Sequence, residues 1–212
     1  MPSKKSIRIT YLLFLFVFIT SLQSFGQRDT SILKAQLALG VNMPSSSGFV
    51  EGFESKGVNF PTVNLGLQYM FKQQLGVKLD YGYNKIKSSD ESLDFEVNYS
   101  RINAQFVYDA TSDLRFLPSH IGLVAHLGPG YSFSKPLNVY GNNDTSFFNS
   151  IVGLELHYAV QERMSFYLDT AYIFAFSDNF DPTTSGNGSF NGDMLTITLG
   201  ISFSLSGCQT CN

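Results

Sequence analysis

The run Leu195-Thr196-Ile197-Thr198-Leu199-Gly200-Ile201-Ser202-Phe203-Ser204-Leu205 alternates without a break between large apolar residues and Thr, Gly or Ser. Successive side chains of a strand point to opposite faces, so this is a β-strand with one oily face and one small, polar face. The pattern recurs about eight times along the chain. Leu33, Ala35, Leu37, Leu39, Val41 and Met43 oppose Lys34, Gln36, Ala38, Gly40 and Asn42, and Val63, Leu65, Leu67, Tyr69 and Phe71 oppose Asn64, Gly66, Gln68 and Met70. Further strands are read at 75–84, 95–108, 121–133, 148–160 and 164–176. Their length, about 11 to 14 residues, exceeds the roughly 5 to 6 usual in soluble sheets and matches a tilted strand that crosses a bilayer.

Two positions interrupt the alternation. In the fourth strand Val97 and Tyr99 share parity with Arg101, whereas Ile102, Ala104, Phe106 and Tyr108 take the other, so a bulge near Ser100 and Arg101 is expected to restore a continuous oily face. In the fifth, Pro129 cannot donate to a ladder, and a bulge or local break is expected there too.

The strands alone do not say which face is inside. A soluble eight-stranded barrel has its apolar residues within and its charges outside. Only 15% of this chain is charged and 15% is aromatic, against about 25% charged in ordinary soluble proteins. That is too few charges to clothe a water-facing barrel, and none falls on an apolar face outside the fourth strand. A Lys or Arg on a lipid-facing position would cost about 2 to 4 kcal/mol at the bilayer midplane. The expected fold is therefore all-β, an eight-stranded antiparallel up-and-down transmembrane barrel with its polar face inward. Lys78, Asp80, Arg101, His126, Glu155, His157 and Asp169 are the candidate interior network, pairing charges that the narrow bore would otherwise strand. A soluble periplasmic barrel around an apolar ligand is the alternative.

The first 26 residues read as a secretory signal: Lys4, Lys5 and Arg8, then the apolar stretch Ile9 to Leu22, then Ser24-Phe25-Gly26 as a small-x-small cleavage site. The barrel is assigned to 27–207 and a periplasmic tail to 208–212. The signal holds three of the 14 basic residues and none of the 17 acidic ones, so the mature chain carries a net charge of −6, which gives no reason to expect a nucleic-acid partner. Connections alternate long and short, with 72–74 and 161–163 short and 44–61, 86–94, 134–147 and 177–192 long. Bacterial barrels have short periplasmic turns and longer outer loops, which puts both chain ends in the periplasm. The connection 109–120 is unusually long for that side. The outer loops carry Phe49, Phe53, Phe60, Phe147, Phe180 and Phe190, read as interface anchors on mobile, solvated loops, with a ligand or adhesion site on these loops as the alternative.

Motifs that carry chemistry are scarce. Cys208-Gln209-Thr210-Cys211 lacks the βαβ setting of a redox pair and the following His of a haem attachment, and two thiols are too few for structural zinc; in an oxidising periplasm a local disulfide is the plain reading. His120, His126 and His157 invite a hydrolase, but no nucleophile elbow, H-E-x-x-H, P-loop or dinucleotide fingerprint occurs. No enzyme activity and no cofactor are expected, although a lipid-modifying enzyme stays among the alternatives.

With its signal, its alternating strands and its closing run Leu195 to Leu205, the mature chain resembles the outer membrane protein β-barrel domain family, the OmpA-like group that includes PorT-type proteins of Bacteroidota. The resemblance implies outer-membrane lipid as surroundings, the barrel-insertion machinery as a partner during assembly, and a structural, adhesive or secretion-accessory role; eight strands leave an interior just wide enough for side chains, so a general pore is not expected.

Overall fold

The computed structural model describes residues 32–205, apart from Arg115, Ser119, Glu162, Asn179 and residues 181–185. The assigned signal segment and the Cys208–Cys211 pair lie outside the described residues. Eight strands follow one another in sequence: β1 (Ile32–Pro44), β2 (Asn59–Met70), β3 (Leu75–Lys87), β4 (Glu96–Asp109), β5 (Ile121–Pro136), β6 (Thr145–Gln161), β7 (Met164–Phe176) and β8 (Met194–Ser204). Each pairs antiparallel with its neighbours, and β8 returns to β1, so the sheet is a closed up-and-down barrel with no free edge.

The oily faces point outward. Leu37, Leu67, Leu79, Leu127, Leu154 and Leu199 are each about half exposed or more, whereas Gln68, Asn103, Gln105 and Thr198 on the opposite face are buried. The arrangement of a soluble ligand-binding barrel is thus inverted. Register orders the outward residues into bands. Mainly aliphatic side chains such as Leu65, Leu79, Ile102 and Val152, with Tyr81 among them, occupy the middle. Tyr69, Phe106, Tyr108, Tyr158, Phe166 and Phe203 ring the end where the chain enters and leaves, and Tyr131, Phe133, Phe148, Phe174 and Phe176 ring the other.

The fourth strand corrects one expectation. β4 pairs with β3 in an unbroken register from Leu75↔Tyr108 to Lys87↔Glu96, with no bulge at Ser100 or Arg101. Val97 and Tyr99 instead follow their parity inward and are fully buried. They can do so because the long-loop end of the lumen holds an apolar cluster beside the buried polar Asn42, Thr62 and Asn84. There Phe53, Ile86, Phe95, Phe147, Ile173, Phe190 and Met194 pack with Val97 and Tyr99 in one cluster, covered by Phe49 and Tyr140. The rings meet at centroid distances of 4.9 Å (Phe49–Phe190), 5.3 Å (Phe53–Tyr140) and 5.8 Å (Tyr99–Phe190). Four of the six phenylalanines read as loop interface anchors, Phe49, Phe53, Phe147 and Phe190, belong to this plug; Phe147 lies within β6, and the loops that carry the other three fold over the bore.

Pro129 leaves the register intact. Pairing of β4 with β5 lapses opposite Gly128 and Pro129 and resumes in phase, while Pro129↔Ser150 continues the ladder to β6. Register shifts occur at Gly40/Asn42 and Ala159/Gln161, near strand ends, where bulges are common. The long connection after β4 is a compact, tethered turn. Leu114 N–H donates to Ala110 O at 3.2 Å, Leu123 N–H to Thr111 Oγ1 at 3.1 Å, and Gln74 Nε2 of the adjacent turn to Asp113 Oδ1 at 2.9 Å. With the Tyr108 hydroxyl and the Gln74 amide both donating to it, the Asp113 carboxyl is held below the ordinary carboxylate range.

Candidate functional site

Every strand presents alternate residues to a lumen only wide enough for side chains, and in an eight-stranded barrel those side chains must satisfy one another. All seven candidate network residues point into it and fall into two linked groups. In the first, Glu155 of β6 takes Lys78 Nζ from β3 at 2.5 Å, Gln36 Nε2 from β1 at 3.0 Å and His157 Nε2 at 2.7 Å. In the second, Asp80 of β3 accepts Arg101 Nη1 from β4 at 2.8 Å and the Gln105 amide, whose oxygen meets His126 Nδ1 at 2.6 Å; His126 Nε2 lies 3.1 Å from Asp169 Oδ1. Both ring nitrogens of His126 are thus engaged, Nδ1 by the Gln105 amide oxygen and Nε2 by the Asp169 carboxylate.

Small residues make the room. The guanidinium of Arg101 lies 2.8–3.0 Å from where a Cβ on Gly82 would stand, and the His126 ring fills the corresponding space over Gly153. Uncharged amides extend the network: Arg101 also donates to Asn103 Oδ1 at 2.8 Å and Asn64 Oδ1 at 3.3 Å, and Asn103, Asn149, Ser132 and Tyr99 continue it to the aromatic plug. Gln36, Gln105, Asn103 and Asn149 were not singled out in the sequence. Their inward parity is the signal that marks them, and charge alone is too narrow a criterion.

Two chemistries can be tested on these contacts. Ligand atoms of His126, Glu155 and Asp169 lie within 4.8 Å of one another, a spacing suited to a metal ion. Glu155 is engaged by Lys78, Gln36 and His157 and His126 by Gln105 and Asp169, and a divalent cation would have to displace the Lys78 ammonium from Glu155. The chain Glu155–His157–Ser165, with His157 Nδ1 3.0 Å from Ser165 Oγ, has the connectivity of a carboxylate–imidazole–hydroxyl relay. Here Glu155 is already neutralised by Lys78. The backbone N–H groups around Ser165 lie in a strand laddered on both sides, so they offer no oxyanion hole.

No family model matches the chain and no curated protein matches it by sequence. Solved structures match it by shape. Neisserial surface protein A is 13% identical with a TM-score of 0.56, the alignment covering 82% of this chain and 97% of that one. A major outer membrane protein from Thermus thermophilus is 12% identical at 0.56, covering 82% and 98%. The fold is that of the eight-stranded outer-membrane barrels. A third such barrel, OprG from Pseudomonas aeruginosa, is 14% identical at 0.51, covering 82% and 96%. In this outer-membrane barrel fold side chains fill the lumen from the aromatic plug through the charged middle. Its charged middle lies between the aromatic plug and a smaller apolar cluster of Met70, Val107 and Val124.

Proposed function

We propose that the chain is an integral outer-membrane barrel without enzymatic activity, with the short turns and both chain ends in the periplasm and the aromatic-cored loops outside. The observation that carries the reading is the outer surface: a mainly aliphatic middle flanked by aromatic side chains toward both ends and, among the described residues, no charge on the exposed outward side chains of that middle. Water would gain nothing from such a surface, and a bilayer selects it. The role that fits best is structural and interactive. Four long connections converge on a shared core of Phe49, Phe53, Phe95, Tyr140 and Phe190, which packs their described parts into one cap of the kind an adhesive or secretion-accessory contact requires. A filled lumen argues against a general diffusion pore. The likeness to PorT-type proteins of Bacteroidota belongs to the same proposal, as does the need for the barrel-insertion machinery.

The test is envelope fractionation followed by denaturing gels of boiled and unboiled protein. Recovery with the outer membrane and faster migration when unboiled are expected. Recovery in the soluble fraction with no heat shift would refute the reading.

A further inference from the structure

We infer that the short-turn mouth of the barrel is a binding site for a phosphate-bearing anion. A cavity of about 230 Å³ opens there, bounded by the ends of β1 and β8, the turn between β6 and β7, and the long turn after β4. Lys34 of β1 stands across from Ser204 of β8, whose N–H donates to the backbone carbonyl of Arg163 at 2.8 Å, and both basic residues line the cavity. Ser202 lies one inward position deeper, paired across the ladder with Ser165.

These groups contrast with the rest of the lumen. Deeper in, Lys78, Arg101 and His126 each have a carboxylate partner within 3.1 Å. At the mouth, no partner side chain engages Lys34, Arg163, Ser202 or Ser204 among the described residues. His120 adds a further donor at the rim. The carboxylate among the described residues lining the cavity, Asp109, is turned to the backbone of Thr111, accepting its N–H at 3.0 Å. A pocket that gathers two cations and the Ser202 and Ser204 hydroxyls, none with a side-chain partner among the described residues, against a single carboxylate suits an anion with several acceptor oxygens. Its volume suits a phosphate with a small substituent. A free phosphate and the headgroup of a phospholipid share that chemistry, and the mouth lies just beyond the aromatic ring formed by Tyr69, Tyr158 and Phe203, the level at which headgroups would stand if the membrane reading holds.

The experiment uses the refolded mature protein in a phosphate-free maltoside detergent, after its heat-shifted gel mobility has verified a closed barrel. Amide NMR shifts are followed while inorganic phosphate or dihexanoylphosphatidic acid is added. Saturable shifts at Lys34, Arg163, Ser202 and Ser204 are expected with at least one of the two. Tighter binding of the lipid identifies a headgroup site, and equal or tighter binding of phosphate a site for a free anion. Lys34→Gln and Arg163→Gln should each weaken binding by about tenfold, the loss of one charge-assisted contact, while Lys34→Arg retains it. No saturable shift with either probe, or affinity untouched by both Gln variants, overturns the inference. Because the gel shift is read independently, failure to bind is distinguishable from failure to form the barrel.

Discussion

Replacing Arg101 with Met tests whether the charged network holds the barrel together. Arg101 is 1% exposed and Asp80 is 5% exposed, so neither charge is solvated by bulk water. Without the guanidinium, Asp80 Oδ2 loses its donor, Asn103 Oδ1 and Asn64 Oδ1 lose theirs, and Gln105 alone remains on the carboxylate. Lys78 cannot substitute, because its ammonium lies 2.5 Å from Glu155. Removing one member of a buried ion pair costs about 3 to 5 kcal/mol, mostly because the other charge is left behind. Adding Asp80→Asn removes that charge while leaving an acceptor for Gln105, so the double variant should be more stable than the sum of the singles by about 2 to 3 kcal/mol. The assay is reversible urea unfolding in phospholipid vesicles, read as the fraction migrating in the unboiled, folded form. A single variant within about 0.5 kcal/mol of the parent, or strictly additive losses around the cycle, would refute the reasoning.

Other outcomes follow from single sites. Leu67→Arg, on the outward face, should cost about 2 to 4 kcal/mol in vesicles if that face meets lipid, and a negligible loss in the same assay would contradict the membrane reading. Gly153→Ala should push the His126 ring off Asp169 and destabilise by about 1 to 3 kcal/mol, with the shift visible in the His126 ring resonances. Phe190→Ala removes a ring packed on Phe49 and Tyr99, and should open the loops to protease while the barrel keeps its gel shift; unchanged cleavage would show that the plug does not anchor them. The Asp113 carboxyl should titrate below its ordinary value of 3.8; as a depressed acid it favours the folded turn above that value and loses the contribution as pH falls through its own lower midpoint, and an NMR titration at or above 3.8 would refute the assignment.

Strand placement was legible because period-two alternation survives wherever one face is uniformly oily. The reading of 164–176 coincides with β7, and the long-loop strands merely extend further than their oily runs. The fourth strand misled for a physical reason. Alternation reports which face a residue is on, and one polarity per face was assumed, but the lumen changes from charged to aromatic along its length, so Val97 and Tyr99 are apolar and inward. Loop aromatics were ambiguous in the same way: Phe190 and Phe60 look alike in sequence, yet one is fully buried and the other 60% exposed. Charges on the inward parity could be named from the sequence, but the pairing of Lys78 with Glu155 could not. They are 77 residues apart on strands that do not touch, and only closure of the barrel sets them face to face.

That contact from β3 to β6, with Gln36 of β1 joining from a third direction, makes the lumen a poor place to stop halfway. A sheet that had paired β3 through β6 but not yet brought β1 against β8 would carry an open edge and a partly unmatched carboxylate toward its surroundings. In hydrocarbon both faults are severe together, and a single event, the meeting of the first and last strands, removes them. Assembly of this chain should therefore be all-or-none, with no stable half-inserted species, and whatever shelters the nascent sheet must do so until its two ends join.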